Sequence, residues 1–277
     1  MAKVSVIVPS YNLGKFLPET LGSVLAQTFG DWECLIVENG SADGSLGTAL
    51  EYSARDSRFR VIELSENIGV AAARNMGLGQ AEGKYILFLD ADDIISPRYM
   101  EEAVAALDED PGLTLVYGKA QRFGSESSWD LPPFSMDTML SRNCLYISCF
   151  FRKEILRCAH NDSGAPVSFD PEFKAGFEDW DFWLSVLEKV ENPRVKQLDS
   201  VCFYYRTRRN SRNRGVTDEA LKDIRRKLWD KHKALYGRYF CNPLETVEYR
   251  RLESSFRKAS RWSLVWKLRL LYRKLFV

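Results

Sequence analysis

The sequence is short of the residues that several common chemistries require. Only two histidines occur in 277 residues, His160 and His232, which leaves little material for a histidine-based zinc site or a Ser-His-Asp triad. The six cysteines (Cys34, Cys144, Cys149, Cys158, Cys202 and Cys241) form no CxxC pair, and several lie in apolar strings. They read as reduced core residues of a cytosolic protein. No apolar run approaches the roughly 18 residues needed to span a bilayer. The apolar stretch at residues 4–8 reads as a strand, so no secretory signal is expected. No internal repeat is present.

What is there is an ordinary globular composition, 45% hydrophobic and 28% charged, with enough chain for one large domain or two small ones. The net charge of +1 conceals a segregation: from Arg206 onward 21 Lys/Arg face 7 Asp/Glu, whereas residues 1–205 carry 18 against 31. An acidic body and a basic tail suit different partners.

The first 118 residues alternate short apolar strands with amphipathic helices. Strands are expected at 4–8, 33–37, 59–64, 85–89 and 114–117, with helices beginning near Pro18, at Gly69 and at Pro97 and one ending at about Ala54. This alternation predicts an α/β fold, doubly wound around a mainly parallel sheet with helices on both faces. Ligands of such sheets bind beyond the carboxyl ends of the strands. Four polar clusters fall there: Pro9-Ser10-Tyr11-Asn12, Glu38-Asn39-Gly40-Ser41, Ser65-Glu66-Asn67 and Asp90-Ala91-Asp92-Asp93. Residues 119–214 are less regular, with one strand expected at 145–151 and one strong helix at 179–190. After Thr217 the pattern is helical and basic. The division expected is 1–118, 119–215 and a helical C-terminal extension, 216–277.

Three carboxylates crowded at the end of an apolar strand raise the cost of ionising one another unless a cation or donors offset the repulsion. Mg²⁺ or Mn²⁺ arriving with a phosphate is one offset. A solvated Asp-rich turn capping the next helix is the other reading. Arg74 sits near the start of a helix, where acids are favoured over bases. A bound diphosphate resolves that conflict, and so does a surface ion pair. The segment Gly77-Leu78-Gly79-Gln80-Ala81-Glu82-Gly83 imitates a dinucleotide fingerprint, but Glu82 stands where the third glycine belongs, and the glycines are expected to end a helix. Glu178-Asp179, beside Phe177, Trp180 and Trp183, offers either simple N-terminal capping or a partly desolvated general base. The terminal segment 262–277, basic and apolar with Trp262 and Trp266, suits an anionic membrane surface or packing on a protein surface. It is too apolar, and the body too acidic, for nucleic acid.

As an ordered set, residues 4–12, 25–28, 37–41, 67–77, 89–93 and 178–179 resemble the family-2 glycosyltransferases of the GT-A fold, which transfer sugars from nucleotide-sugar donors with inversion. The resemblance spans about residues 3–206. It implies that Pro9, Ser10 and Tyr11 line the nucleotide pocket, with Tyr11 against the base and Asn39 at the base edge. Glu38, Asn67, Arg74 and Ala91 join the same nucleotide-sugar-binding set. Asp90-Ala91-Asp92 stands at the DxD motif, so that Asp92 holds Mn²⁺ or Mg²⁺ on the diphosphate with Asp90 towards the ribose. Asp179 is implied as the base that deprotonates the acceptor hydroxyl. Two positions depart from the pattern. Glu38-Asn39 replaces the usual Asp-Asp, and Asn39 both accepts and donates hydrogen bonds. Arg208 stands where many relatives carry a histidine; it can neutralise phosphate but cannot ligate a metal. The Gln-x-x-Arg-Trp motif of processive synthases is absent, so transfer of a single sugar is expected. The donor expected is a UDP-sugar, the acceptor a glycan or lipid-linked glycan of the cell surface, and the location the inner face of the plasma membrane. A nucleotidyltransferase would need a Gly-rich basic loop where 9–14 offers only Gly14, followed by Lys15. A silent nucleotide-sugar-binding protein would be marked by loss of Asp92 or Asp179, and both are present.

Overall fold

Apolar strands spaced by amphipathic helices can bury both faces only by stacking into layers. The structure, a computed structural model, describes residues 2–124, 131–158, 166–173, 176–208, 217–239 and 254. The first half runs β1 (Val4–Ser10), α1 (Leu17–Leu25), β2 (Trp32–Asn39), α2 (Ser45–Arg55), β3 (Phe59–Leu64), α3 (Val70–Gln80), β4 (Tyr85–Phe88), β5 (Ile94–Ile95) and α4 (Tyr99–Glu109). The second half runs β6 (Leu113–Gly124), α5 (Met136–Ser141), β7 (Phe150–Arg152), α6 (Ile155–Cys158), α7 (Glu178–Glu188), β8 (Arg194–Thr207), α8 (Asp218–Lys231) and α9 (Lys233–Arg238).

One sheet holds all eight strands in the order β3-β2-β1-β4-β7-β6-β8-β5. The first four pair in parallel through helical crossovers, and β1 and β2 are buried along their whole length, which is why they read as unbroken apolar runs. Beyond β4 the sheet is mixed: β7 runs against β4 and β6, β6 and β8 pair in parallel, and β5 runs against β8. Strand β6 runs through residue 118, where its register against β8 shifts between Tyr117 and Lys119.

Three expectations are corrected. The strand expected at 145–151 contracts to β7; residues 144–149 are buried without pairing. Side chains serve that backbone and its neighbour instead: Tyr146 bonds both the N–H and the carbonyl of Gly118 at 2.9 Å, and Tyr99 donates to the Ser148 carbonyl at 2.6 Å. The fourteen-residue β8 was not foreseen, because its first half is mostly exposed and shows no apolar alternation. Gly77 and Gly79 do not end α3 but lie within it. A Cβ on Gly77 would stand 2.5 Å from Ile7 Cγ2 and 3.1 Å from Val37 Cγ2, so the helix lies directly on β1 and β2.

Beneath the strand ends, Phe169 stacks on Phe182 at 4.1 Å, and Phe88 meets both rings edge-on at 5.0 and 5.6 Å. This aromatic layer joins β4 to α7. Among the described residues no helix is long and apolar enough to cross a membrane. The segment 262–277 lies outside the described residues.

Candidate active site

The loops after β1 and β2 form one hydrogen-bonded unit. Asn12, in the left-handed region at φ 52, donates its N–H to Ser41 Oγ at 3.0 Å and accepts the Ala42 N–H at 2.9 Å. The N–H groups of Leu13 and Gly14 donate to Ser45 Oγ at 3.1 Å and Asp43 Oδ2 at 2.9 Å. Pro9 and Ser10 are buried at the end of β1, and Ser10 Oγ has no hydrogen-bond partner among the described residues. Tyr11 projects its ring with 43% of its surface exposed, as a stacking platform requires. Glu38 is buried and accepts the Ser41 N–H. Asn39, also buried, accepts the Ile68 N–H at 2.9 Å and donates to Asn67 Oδ1 at 3.0 Å, tying β2 to the exposed loop before α3.

The acidic turn after β4 meets three arginines. Arg74, buried in α3, donates to Asp90 Oδ1 at 2.7 Å and to Glu178 Oε1 at 3.0 Å. Burial alone would weaken its hold on the proton; Asp90 and Glu178 outweigh that and raise the guanidinium above its usual range. Asp92 Oδ2 lies 2.7 Å from Arg208 Nη2. Burial and then Asp90 raise the Asp92 carboxyl, with Arg208 opposing them. Asp93 is fully enclosed and raised further, by burial and then by Asp92 and Asp90, although it accepts the Arg206 N–H at 2.8 Å. Arg206 Nε donates to the Asp92 carbonyl at 2.8 Å, and its guanidinium pairs with Glu19. Ala91 is buried between the carboxylates. The offset that the sequence asks of a metal is thus partly supplied by Arg74 and Arg208.

These oxygens fit a cation that brings its own ligands. Asp90 and Asp92 each engage one carboxylate oxygen in the ion pairs above, and no cluster of three or more His, Cys, Asp or Glu side chains suited to a metal occurs among the described residues. Two carboxylates are what Mg²⁺ or Mn²⁺ takes from protein when phosphate and water complete its shell. They do not make a closed, all-protein cage.

The head of α7 is held in an unusual backbone. Gly176 and Phe177 both adopt positive φ, 102 and 65, which is costly for a bulky residue such as Phe177. Glu178 then turns inward to Arg74, and Asp179 keeps part of its surface open. Asp179 Oδ1 accepts the Trp180 N–H at 2.8 Å, and Oδ2 accepts from Asn143 Nδ2 at 3.1 Å. Burial, and then the Glu178 charge, push the Asp179 carboxyl up to about 7, with Arg74 opposing. A carboxylate so placed exchanges protons near neutral pH. Trp180 is fixed by Nε1 on the Met139 carbonyl at 2.7 Å, whereas Trp183 packs into the core on Phe151 and Phe182.

Direct contacts therefore chain Asp90, Arg74 and Glu178 together, one residue from Asp179, with Asp92 on the same turn as Asp90 and paired to Arg208 just past the end of β8. Tyr11 with Glu38, and Asn39 with Asn67, belong to the neighbouring strand-end loops. Sequence reading missed Asn143, which sits in a loop with no local signal, and the ionic roles of Glu178 and Arg206.

The chain matches the family described as Glycosyl transferase family 2 over residues 5–161. It is 30% identical over 249 residues, 89% of this chain and 90% of the other, to an Escherichia coli protein named UDP-Glc:alpha-D-GlcNAc-diphosphoundecaprenol beta-1,3-glucosyltransferase WfgD. Crystal structures of S. aureus TarS residues 1–349 superpose on it. One is 26% identical with a TM-score of 0.62, covering 74% of this chain and 60% of that one. The complex with UDP-GlcNAc is 21% identical with a TM-score of 0.66, covering 86% and 73%. A Pyrobaculum calidifontis mannosyltransferase, PcManGT, in complex with GDP-Man and Mn²⁺, is 17% identical with a TM-score of 0.56, covering 99% and 86%.

Proposed function

This chain belongs to glycosyl transferase family 2, with a GT-A-like fold, and from that premise we propose that it moves one sugar, with inversion, from a UDP-sugar to the hydroxyl of a lipid-linked glycan. The observation that carries the reading is Asp179, a carboxyl poised at about 7 beside the Glu178–Arg74–Asp90 chain that leads to the acidic turn. The name of the E. coli relative supports a UDP-sugar donor and a diphosphoundecaprenol-linked acceptor.

In this reading Pro9, Ser10 and Tyr11 receive the nucleoside, with Tyr11 stacked on the base. Ser10, fully buried at the end of β1, lies behind that pocket. Glu38, Asn39 and Asn67 hold the loops at the base edge, and Ala91 leaves room beside the ribose. Asp92 and Asp90 would hold Mn²⁺ or Mg²⁺, which when bound neutralises charge on the diphosphate. Arg208 adds a second cation to the leaving group, and Arg74 keeps Asp90 and Glu178 in place. Asp179 takes the proton from the acceptor hydroxyl as its oxygen attacks the anomeric carbon opposite the departing UDP. Residues 1–118 form the donor half, 119–215 the acceptor half and 216–277 an extension whose basic, apolar end, residues 262–277, meets an anionic membrane at the cytoplasmic face.

The test is release of UDP from a panel of UDP-sugars with a lipid-diphosphate acceptor, with and without Mn²⁺. Wild type should turn over at least one donor, while Asp92→Ala and Asp179→Asn should each lose about a hundredfold or more. Equal metal-dependent turnover in all three would sink the assignment. Deleting residues 262–277 should release the protein from anionic vesicles; unchanged binding overturns the membrane contact.

A further inference from the structure

Outside the transfer machinery, His232 is a buried titratable side chain at the junction of α8 and α9. Its Nε2 lies 3.0 Å from Asp181 Oδ1 and its Nδ1 lies 2.9 Å from Glu188 Oε2. Ionised carboxylates only accept hydrogen bonds, so an imidazole facing two of them through both nitrogens must carry both protons. Asp181 and Glu188 are seven residues apart in α7, two helical turns, and so share one face. Asp181 is fully buried and places its second oxygen 2.8 Å from Lys231 Nζ, which also reaches Asp170 at 2.8 Å. The charged groups around the imidazolium are then Asp181 and Glu188 from α7, Lys231 from α8 and, through Lys231, Asp170 before α7. Lys189 adds charge beside Glu188, and the adjacent Lys233 pairs with Asp230 at 3.0 Å. The Leu235 N–H of α9 shares Glu188 at 3.3 Å. A second tie runs from Tyr236, whose hydroxyl donates to the Leu140 carbonyl at 2.9 Å. Leu140 lies in α5, just before Asn143, whose amide donates to Asp179. The helical extension therefore grips both supports of Asp179, the helix that carries it and the loop that hydrogen-bonds it.

We propose that His232 is a positioning residue for the transfer reaction: as an imidazolium it pins the helical extension to α7, fixing Asp179 for proton transfer, and its deprotonation releases the pin. Burial lowers the affinity of the imidazole for its second proton, but the bonds and charges of Asp181 and Glu188 outweigh this and raise it above its ordinary value. Burial likewise raises Glu188, and the bond and charge of His232 outweigh it, leaving that carboxyl low. The sign follows. The pin is complete below the ordinary imidazole range and is lost as pH climbs through the raised one. Asp179, needed as a carboxylate, gains function as pH rises through about 7. The two titrations act on turnover with opposite signs, Asp179 setting the acid limb and His232 the alkaline one.

Because the chain has only two histidines, His160→Gln leaves a single imidazole to follow by NMR. That signal should titrate above the ordinary value of about 6.5, and kcat should fall with the same midpoint while the donor KM stays flat. His232→Gln should lower kcat about tenfold or more, leave UDP binding unchanged and speed hydrogen exchange at residues 178–182. His232→Arg keeps its charge at every pH and should restore slow exchange and remove the alkaline limb. An imidazole titrating at or below its ordinary value overturns the proposal, as does a Gln variant with unaltered exchange and kcat. If the larger Arg cannot be seated, coincidence of the wild-type imidazole titration with the kcat limb decides the matter. Only the kinetic arm rests on the transfer reading. No turnover in a wild type whose imidazole titrates high, and whose Gln variant exchanges faster, would overturn that reading and leave the pin standing.

Discussion

Asp179 takes up protons near neutrality because burial and the adjacent Glu178 charge work against Arg74. kcat/KM should therefore show an acid limb that falls away with an inflection at about 7, the opposing alkaline limb belonging to His232, checked in pH series of wild type and of His232→Arg. A carboxyl raised above its unfolded value costs stability once pH exceeds that value. Asp179→Asn removes the cost, so it should abolish turnover yet raise Tm at pH 8 by roughly 2–6 °C, with the gain vanishing near pH 4. Arg74 behaves oppositely. Arg74→Ala strands two carboxylates, one of them buried, and should cost about 3–5 kcal/mol by urea unfolding. Arg74→Lys, with one ammonium for two partners, should lie between. The sequence placed Arg74 on a bound anion or a surface pair. Its carboxylate partners come 16 and 104 positions later, and that long-range closure left no local trace.

Helix α3 offers a sharper contrast, because two glycines in one turn face different surroundings. Gly77→Ala should destabilise by about 1–3 kcal/mol, since the new methyl drives α3 off Ile7 and Val37. Gly79→Ala, with nothing within 4 Å, should stabilise by about 0.5–1 kcal/mol. Chemical denaturation of the pair checks both signs. The parallel strands and their crossover helices were legible because burial on both faces writes an unbroken apolar run. β8 was not, because a half-exposed strand with register shifts along its β6 neighbour carries no clean period. Asn143 was invisible for a related reason: a loop residue becomes a partner of Asp179 only once α5 and α7 have packed.

Across the whole molecule, the donor side of the candidate site falls, in the proposed reading, on the strand ends of the first half, and the rest on α7 and the end of β8. UDP with Mn²⁺ at about 100 Kd should therefore raise the stability of the entire chain by about 2.7 kcal/mol, seen as a higher Tm that Asp92→Asn loses. What the sequence conveyed was which residues gather at the sheet edge. What it withheld was how far they would pair with one another there. That pairing has a practical consequence. Arginine already offsets part of the repulsion at the turn after β4, so in the proposed reading a divalent ion would arrive with the donor and would not hold the fold together. Prolonged EDTA treatment should leave the melting curve where it was, and the stripped protein should regain full turnover on adding metal and donor, with no refolding step.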